Sequence, residues 1–120
     1  MADKSIRQII AETSEELRGK IDLLEPQVAS RKLIELSSLF SSLYAQIAKY
    51  DAECRYQLNE IYKKQEKHNV SAARLEMEAL PEWNEFNQAR LQAVALTELI
   101  RSIKLFIKTN SEDIFHQRNV

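Results

Sequence analysis

Glycine is almost missing from this chain: Gly19 is the single one in 120 residues, and Pro26 and Pro81 are the two prolines. Sheets and barrels reverse direction every few residues on turn residues such as Gly and Pro, so the scarcity of these two excludes those architectures. The lone cysteine, Cys54, excludes an internal disulfide framework and a cysteine-built zinc cage, and it suits a reducing compartment. No apolar run approaches the roughly 18 residues that a membrane span requires. The start, Met1-Ala2-Asp3-Lys4, leads into a patterned segment with no signal-peptide core, so a cytoplasmic location is expected. Charge of one sign is lacking too. There are 17 basic and 18 acidic residues, a net charge of -1, divided 8 to 10 in residues 1–60 and 9 to 8 in residues 61–120. A general nucleic-acid coat needs a large basic excess, which is absent.

The chain is rich in Leu, Ala, Glu, Lys, Gln and Arg, the strong helix formers, and an all-α protein follows. A first helix is expected over 3–24, with Ile6, Ile10, Thr13, Leu17, Ile21 and Leu24 on its inner face and Gly19 as a weak point inside it. Pro26 then ends that helix or opens the next. A second helix is expected over 26–67. Its stripe of Leu33, Leu36, Phe40, Leu43, Ile47, Tyr50, Cys54 and Ile61 has heptad spacing, and Asp51–Arg55 and Glu60–Lys64 are well-oriented charge pairs. The break falls at His68-Asn69-Val70-Ser71. Ser71 is expected to cap a short helix over 72–80, with Val70 and Leu75 closing a hydrophobic staple. Pro81 kinks or restarts the chain into a last helix over 81–109, with the stripe Phe86, Ala89, Ala93, Leu96, Ile100, Ile103 and Ile107 and a frayed tail over 110–120.

Length then sets the shape. A helix of about 40 residues is about 60 Å long, too long for a compact globule of this size, roughly 35 Å across. Residues 72–109 match the second helix in length, so the expected fold is an elongated antiparallel hairpin, coiled-coil-like, with its tip near Asn69. The shorter first helix reaches only one end and makes a three-helix bundle there. The other end is left with two helices. Its apolar residues Tyr56, Tyr62, Leu75, Met77, Trp83 and Phe86 are expected to be exposed and to form an oligomer interface.

Chemistry-bearing residues are few. Lys63, Lys64, Lys67, His68 and Arg74 gather at the hairpin tip. Cations at a helix C-terminus are favoured by the macrodipole, which explains the cluster structurally; the functional reading is an anion- or partner-binding tip. Tyr44, Tyr50, Tyr56 and Tyr62 recur every six residues, which turns them around the helix instead of stacking them into one platform. Arg90, Arg101, Lys104 and Lys108 share a flank of the last helix. The first helix is acidic, with Glu12, Glu15, Glu16, Asp22 and Glu25, and ion pairs between the two helices are the expected explanation. Glu112 and Asp113 stand four and three residues before His116, but the paired Glu-x-x-His motifs of a dimetal site are absent, so no metal is assigned. Cys54 reads as a small buried hydrophobe. With no Gly-rich phosphate loop and no Gly-x-Ser-x-Gly, no catalytic residue and no cofactor are assigned.

Tyr62-Lys63, Val70-Ser71-Ala72-Ala73-Arg74, Phe86 and Leu99-Ile100-Arg101-Ser102-Ile103-Lys104 together resemble small all-helical proteins of unassigned role encoded by tailed phages and prophages. The resemblance spans Tyr62 to Lys108 and carries no catalytic motif. It implies an accessory or counter-defence factor that acts by binding in the host cytoplasm. The expected function is therefore a non-enzymatic helical interaction protein that forms a homo-oligomer and binds a macromolecular partner, without a membrane. The alternatives are an oligomeric sponge or sensor for a small phosphorylated nucleotide, held by Lys63, Lys67 and Arg74, or a nucleic-acid accessory factor using the same cluster.

Overall fold

Each helix start carries its own local signal. In the computed structural model, which describes the backbone of residues 4–118 and the side chains of residues 4–111, Ser5 caps α1 (Ile6–Leu17). Its hydroxyl accepts from the Gln8 backbone N–H at 3.1 Å, and the Gln8 side-chain oxygen accepts from the Ser5 N–H at 3.0 Å. This Ser-x-x-Gln box satisfies two donors that the helix leaves without partners. The expected first helix does not continue to residue 24. It stops at Leu17 because Gly19 adopts φ +70°, a left-handed conformation, and one 3₁₀ turn (Ile21–Leu23) follows. Glycine is thus the terminator of α1 and not a weak point within it.

Pro26 opens α2 (Pro26–Lys64) at a position where its missing N–H costs nothing. The helix ends three residues before the expected 67, where Gln65 turns to extended geometry at φ -71° and ψ 137°. The cap of α3 (Val70–Glu78) is Asn69 and not Ser71: the Asn69 side chain accepts from the Ala72 N–H at 3.2 Å. Asn and Ser are nearly equal as N-caps, so residue type alone does not choose between them. With the start moved to Val70, that residue lies inside the helix and the expected staple does not form. Pro81 opens α4 (Pro81–Arg118), which continues past Asn110-Ser111 instead of loosening there.

The fold is all-α, an antiparallel hairpin of α2 and α4 with its tip around Asn69, and no strand occurs among the described residues. Its extents are 77 × 37 × 20 Å and its radius of gyration is 20.4 Å. At the core lie Ile10 and Leu17 of α1, Ala29, Leu36 and Leu43 of α2, and Ala89, Leu96 and Ile103 of α4. Within each helix these residues are seven apart, the repeat that keeps one seam facing its partners. Leu36, Leu43, Leu96 and Ile103 are entirely excluded from solvent.

α1 packs into one side of the α2–α4 seam, antiparallel to α2, and reaches only the half of the rod away from the tip. Arg7 fixes its near end. The guanidinium pairs with Glu85 and donates to the Gln92 side chain at 3.0 Å and to Gln88 at 3.1 Å, while Gln92 donates back to the Arg7 carbonyl at 3.1 Å. Lys32 bridges Glu16 at 3.7 Å near the other end. No helix among the described residues is long and apolar enough to cross a membrane.

Candidate functional site

Because α1 fills one side of the seam, the opposite side of α2 and α4 is bare. There lies an open groove of 490 Å³ to which α1 contributes no residue. Phe40 and Ile47 of α2 and Phe86 and Ala93 of α4 form its floor; Tyr44 and Val94 stand on its rim, 65% and 63% exposed. Along the α4 rim, Trp83 packs against Phe86 at a centroid distance of 5.6 Å, and the Arg90 guanidinium lies over the Phe86 ring at 5.5 Å. The cation over the ring face holds both groups in place at the groove's edge.

This placement corrects the expected pairing of α4's basic flank with the first helix. Arg90 and Thr97 line the groove, and Lys104 follows Thr97 at the same seven-residue step; Arg101 and Lys108 follow Val94 in the same way. The whole flank therefore points away from α1. The α1 acids are engaged elsewhere: Glu12 with Lys4 at 2.7 Å, Glu15 with Arg18 at 3.8 Å and Glu16 with Lys32. Arg101 reaches only Glu98 of its own helix, at 2.8 Å. Neither Arg90 nor Lys104 has a carboxylate within 4 Å among the described residues.

The apolar residues expected at the distal end divide three ways. Tyr56 and Leu75 are exposed, at 62% and 70%. Tyr62, Trp83 and Phe86 are half-buried; Phe86 lies on the groove floor, and Trp83 packs beside it. Met77 is buried, 7% exposed, and so is Ala73 on the preceding turn of α3; Met77 cannot form part of an exposed stripe. The Asn69 cap sets the phase of α3, and that phase turns Ala73 and Met77 inward. Exposed apolar side chains are also not confined to the distal end, since Ile34, Tyr44 and Val94 lie on the three-helix half.

At the tip, Lys63, Lys64, Lys67 and Arg74 are all exposed, and Lys63 lies 3.8 Å from Glu60. Glu60 thus takes Lys63 and not the expected Lys64, while Asp51 and Arg55 pair as expected at 3.2 Å. His68 has a structural task. Its ring packs against Tyr62, tilted by 30° at 4.7 Å, and its Nδ1–H donates at 2.8 Å to the Tyr62 carbonyl, which also accepts the Gln65 N–H at the end of α2. The tip residues surround no enclosed anion site. Cys54 is buried on α2, and burial, reinforced by the carboxylates of Asp51, Glu82 and Glu53, pushes its thiol above the ordinary cysteine range. A neutral buried thiol is a poor nucleophile. Glu112, Asp113 and His116 lie outside the described side chains. Among the described residues no three His, Cys, Asp or Glu side chains converge as a cation site.

The groove is the part of the site that sequence reasoning missed. Its signal was present in the basic flank of α4, which faces uncharged Ser37, Ser41 and Tyr44 on α2. No protein family, curated protein or solved structure matches this chain.

Proposed function

We propose that this protein is a non-enzymatic helical interaction module that works by holding a macromolecular partner against the bare side of its α2–α4 hairpin. The observation that carries this reading is the 490 Å³ groove with its apolar floor, to which α1 contributes no residue; the basic flank of α4 runs on from Arg90 at its edge. An apolar trough along a helical seam suits another polypeptide, because it offers shape and dehydration but no converging set of acid, base and nucleophile. The likeness of residues 62–108 to phage and prophage accessory proteins supports the same mode of action. Tyr56 and Leu75, exposed near the tip, favour self-association as a second property of the molecule.

Two variants test the reading. Tyr44→Glu places a charge on the groove rim and Leu75→Glu places one on the tip surface, and both sites are exposed enough to leave helicity and Tm unchanged. A host protein retained by the wild type should be released by Tyr44→Glu, while Leu75→Glu should alter only the particle mass measured by light scattering. A partner retained equally by wild type and Tyr44→Glu would remove the groove from the function.

A further inference from the structure

The groove has a definite shape, and the α4 flank that runs on from Arg90 at its edge is basic; together they describe its occupant. We infer that it seats one amphipathic helix of a partner protein, about five turns long, whose flank against α4 is acidic, and that this helix completes a four-helix bundle opposite α1. The inference rests on the binding reading above and specifies the ligand of that site.

Shape comes first. Three helices meet around the heptad core, and the corner between α2 and α4 opposite α1 is empty. On α2 the groove lining runs from Phe40 to Asp51, and Leu33 stands one heptad before Phe40 on the same side of the helix; from Leu33 to Asp51 the seam covers about 27 Å at 1.5 Å per residue, the length of about five helical turns. A helix laid there at the usual 8–10 Å interaxial distance would cover the apolar floor and place its own apolar stripe between Tyr44 and Val94.

Charge then selects the kind of helix. Arg90 lines the α4 wall of the groove, and Arg101, Lys104 and Lys108 continue that flank at heptad-related positions, Arg101 with Glu98 of its own helix beside it. The α2 wall answers with Ser30, Ser37 and Ser41 at the equivalent steps, none of them charged. Asp51 is the one carboxylate lining the groove, and Arg55 already pairs with it at 3.2 Å. An incoming helix with glutamate or aspartate at its flanking positions neutralises the α4 wall in the manner of flank pairing in coiled coils. A second copy of this chain docked groove to groove offers the same two walls and leaves these cations unmatched. A nucleic-acid backbone would satisfy the cations but leave the apolar floor wet.

The test uses the full chain and a synthetic peptide of about 20 residues with leucine at the a and d positions and glutamate at e and g, which keeps it from pairing with itself at neutral pH. A twin peptide carries lysine at e and g. Fluorescence anisotropy of the labelled glutamate peptide should show binding that weakens with salt, and the lysine twin should not bind. The double variant Arg101→Glu, Lys104→Glu should lose the glutamate peptide by about tenfold or more and gain the lysine twin, as two reversed flank charges predict. Val94→Glu should weaken the glutamate peptide while helicity stays constant.

Equal binding of both peptides, or of neither, overturns the inference, as does a double variant that behaves like wild type. Light scattering that shows a dimer dissolved by Val94→Glu also overturns it, in favour of a second copy. Salt-sensitive binding of duplex DNA that Val94→Glu leaves intact does the same in favour of nucleic acid. A host partner lost in Tyr44→Glu, with no binding of the glutamate peptide, would end this inference and leave the broader binding reading standing; a host partner kept in Tyr44→Glu, with no binding of the glutamate peptide, would end both.

Discussion

Three single residues hold the bundle together in ways that can be measured. Gly19 is the hinge between α1 and the 3₁₀ turn, and its φ of +70° is a conformation that other L-residues resist. A Cβ added there meets nothing within 4 Å, so the cost of Gly19→Ala is backbone strain alone, about 1 kcal/mol. Thermal unfolding should show a Tm lower by several degrees, and Gly19→Asn should lose less because Asn tolerates the left-handed region. Arg7 is the clasp of α1, its side chain only 18% exposed. Arg7→Met keeps the stem and removes the fork, leaving Glu85 and the Gln92 oxygen without their shared donor. The expected cost is about 1–2 kcal/mol, the size of a charge-assisted contact discounted for the exposure of Glu85. Hydrogen exchange should localise the loss to Ile6–Leu17, and uniform loosening of all helices would argue against this role. Cys54 gives a pH prediction. Its folded-state thiol titrates above the unfolded value, so folding is unaffected by it below about pH 8. As pH rises past about 8.5 the unfolded chain ionises first and stability falls. Denaturant unfolding between about pH 8 and 9.5 should show a decline in the wild type that Cys54→Ala lessens, and a thiol reagent should react with the native protein far more slowly than with the unfolded chain.

At the scale of the helix, the seven-residue spacing of buried side chains decides which substitutions matter. Leu96→Ala, at a site with no solvent exposure, should cost about 2–5 kcal/mol, and Leu91→Ala, mostly exposed on the same helix, less than about 0.5 kcal/mol. Chemical denaturation of the two variants separates the core face from the outer face of α4. This face was legible in the sequence, because Ala89, Leu96 and Ile103 repeat at the period that a helical seam imposes. The helix ends were less legible. Asn69 and Ser71 are equivalent caps on type alone, and the choice is made by Gln65, whose side-chain oxygen accepts from the Asn69 N–H at 2.9 Å. That choice rotates α3 and turns Met77 from an exposed residue into a buried one. The groove was illegible for a different reason. Periodicity identifies the residues that face the seam between α2 and α4 but not which of its two sides a third helix takes. Arg7, through Glu85, Gln88 and Gln92, settles that side, and the cations of α4 are left on the other.

For the molecule as a whole, elongation is the property with the plainest consequence. A compact globule of this length would have a radius of gyration of about 14 Å, against 20.4 Å here. Small-angle scattering of the monomer should give a value near 20 Å, and a value near 14 Å would mean that the rod folds up in solution. The repeat in the core also raises a problem of alignment. A heptad seam looks similar after a slide of one repeat, about 10 Å along the axis, and within it only the step from Leu to Ala at Ala29 and Ala89 marks the native register. What forbids the slide lies outside the leucines. The short α3 between Asn69 and Pro81 fixes how far α4 starts from the bend, and the fork of Arg7 meets a Glu and two Gln at only one setting of α1. These polar and helix-breaking residues act like the teeth of a ratchet: the greasy seam supplies the grip, and a few hydrophilic contacts choose the notch.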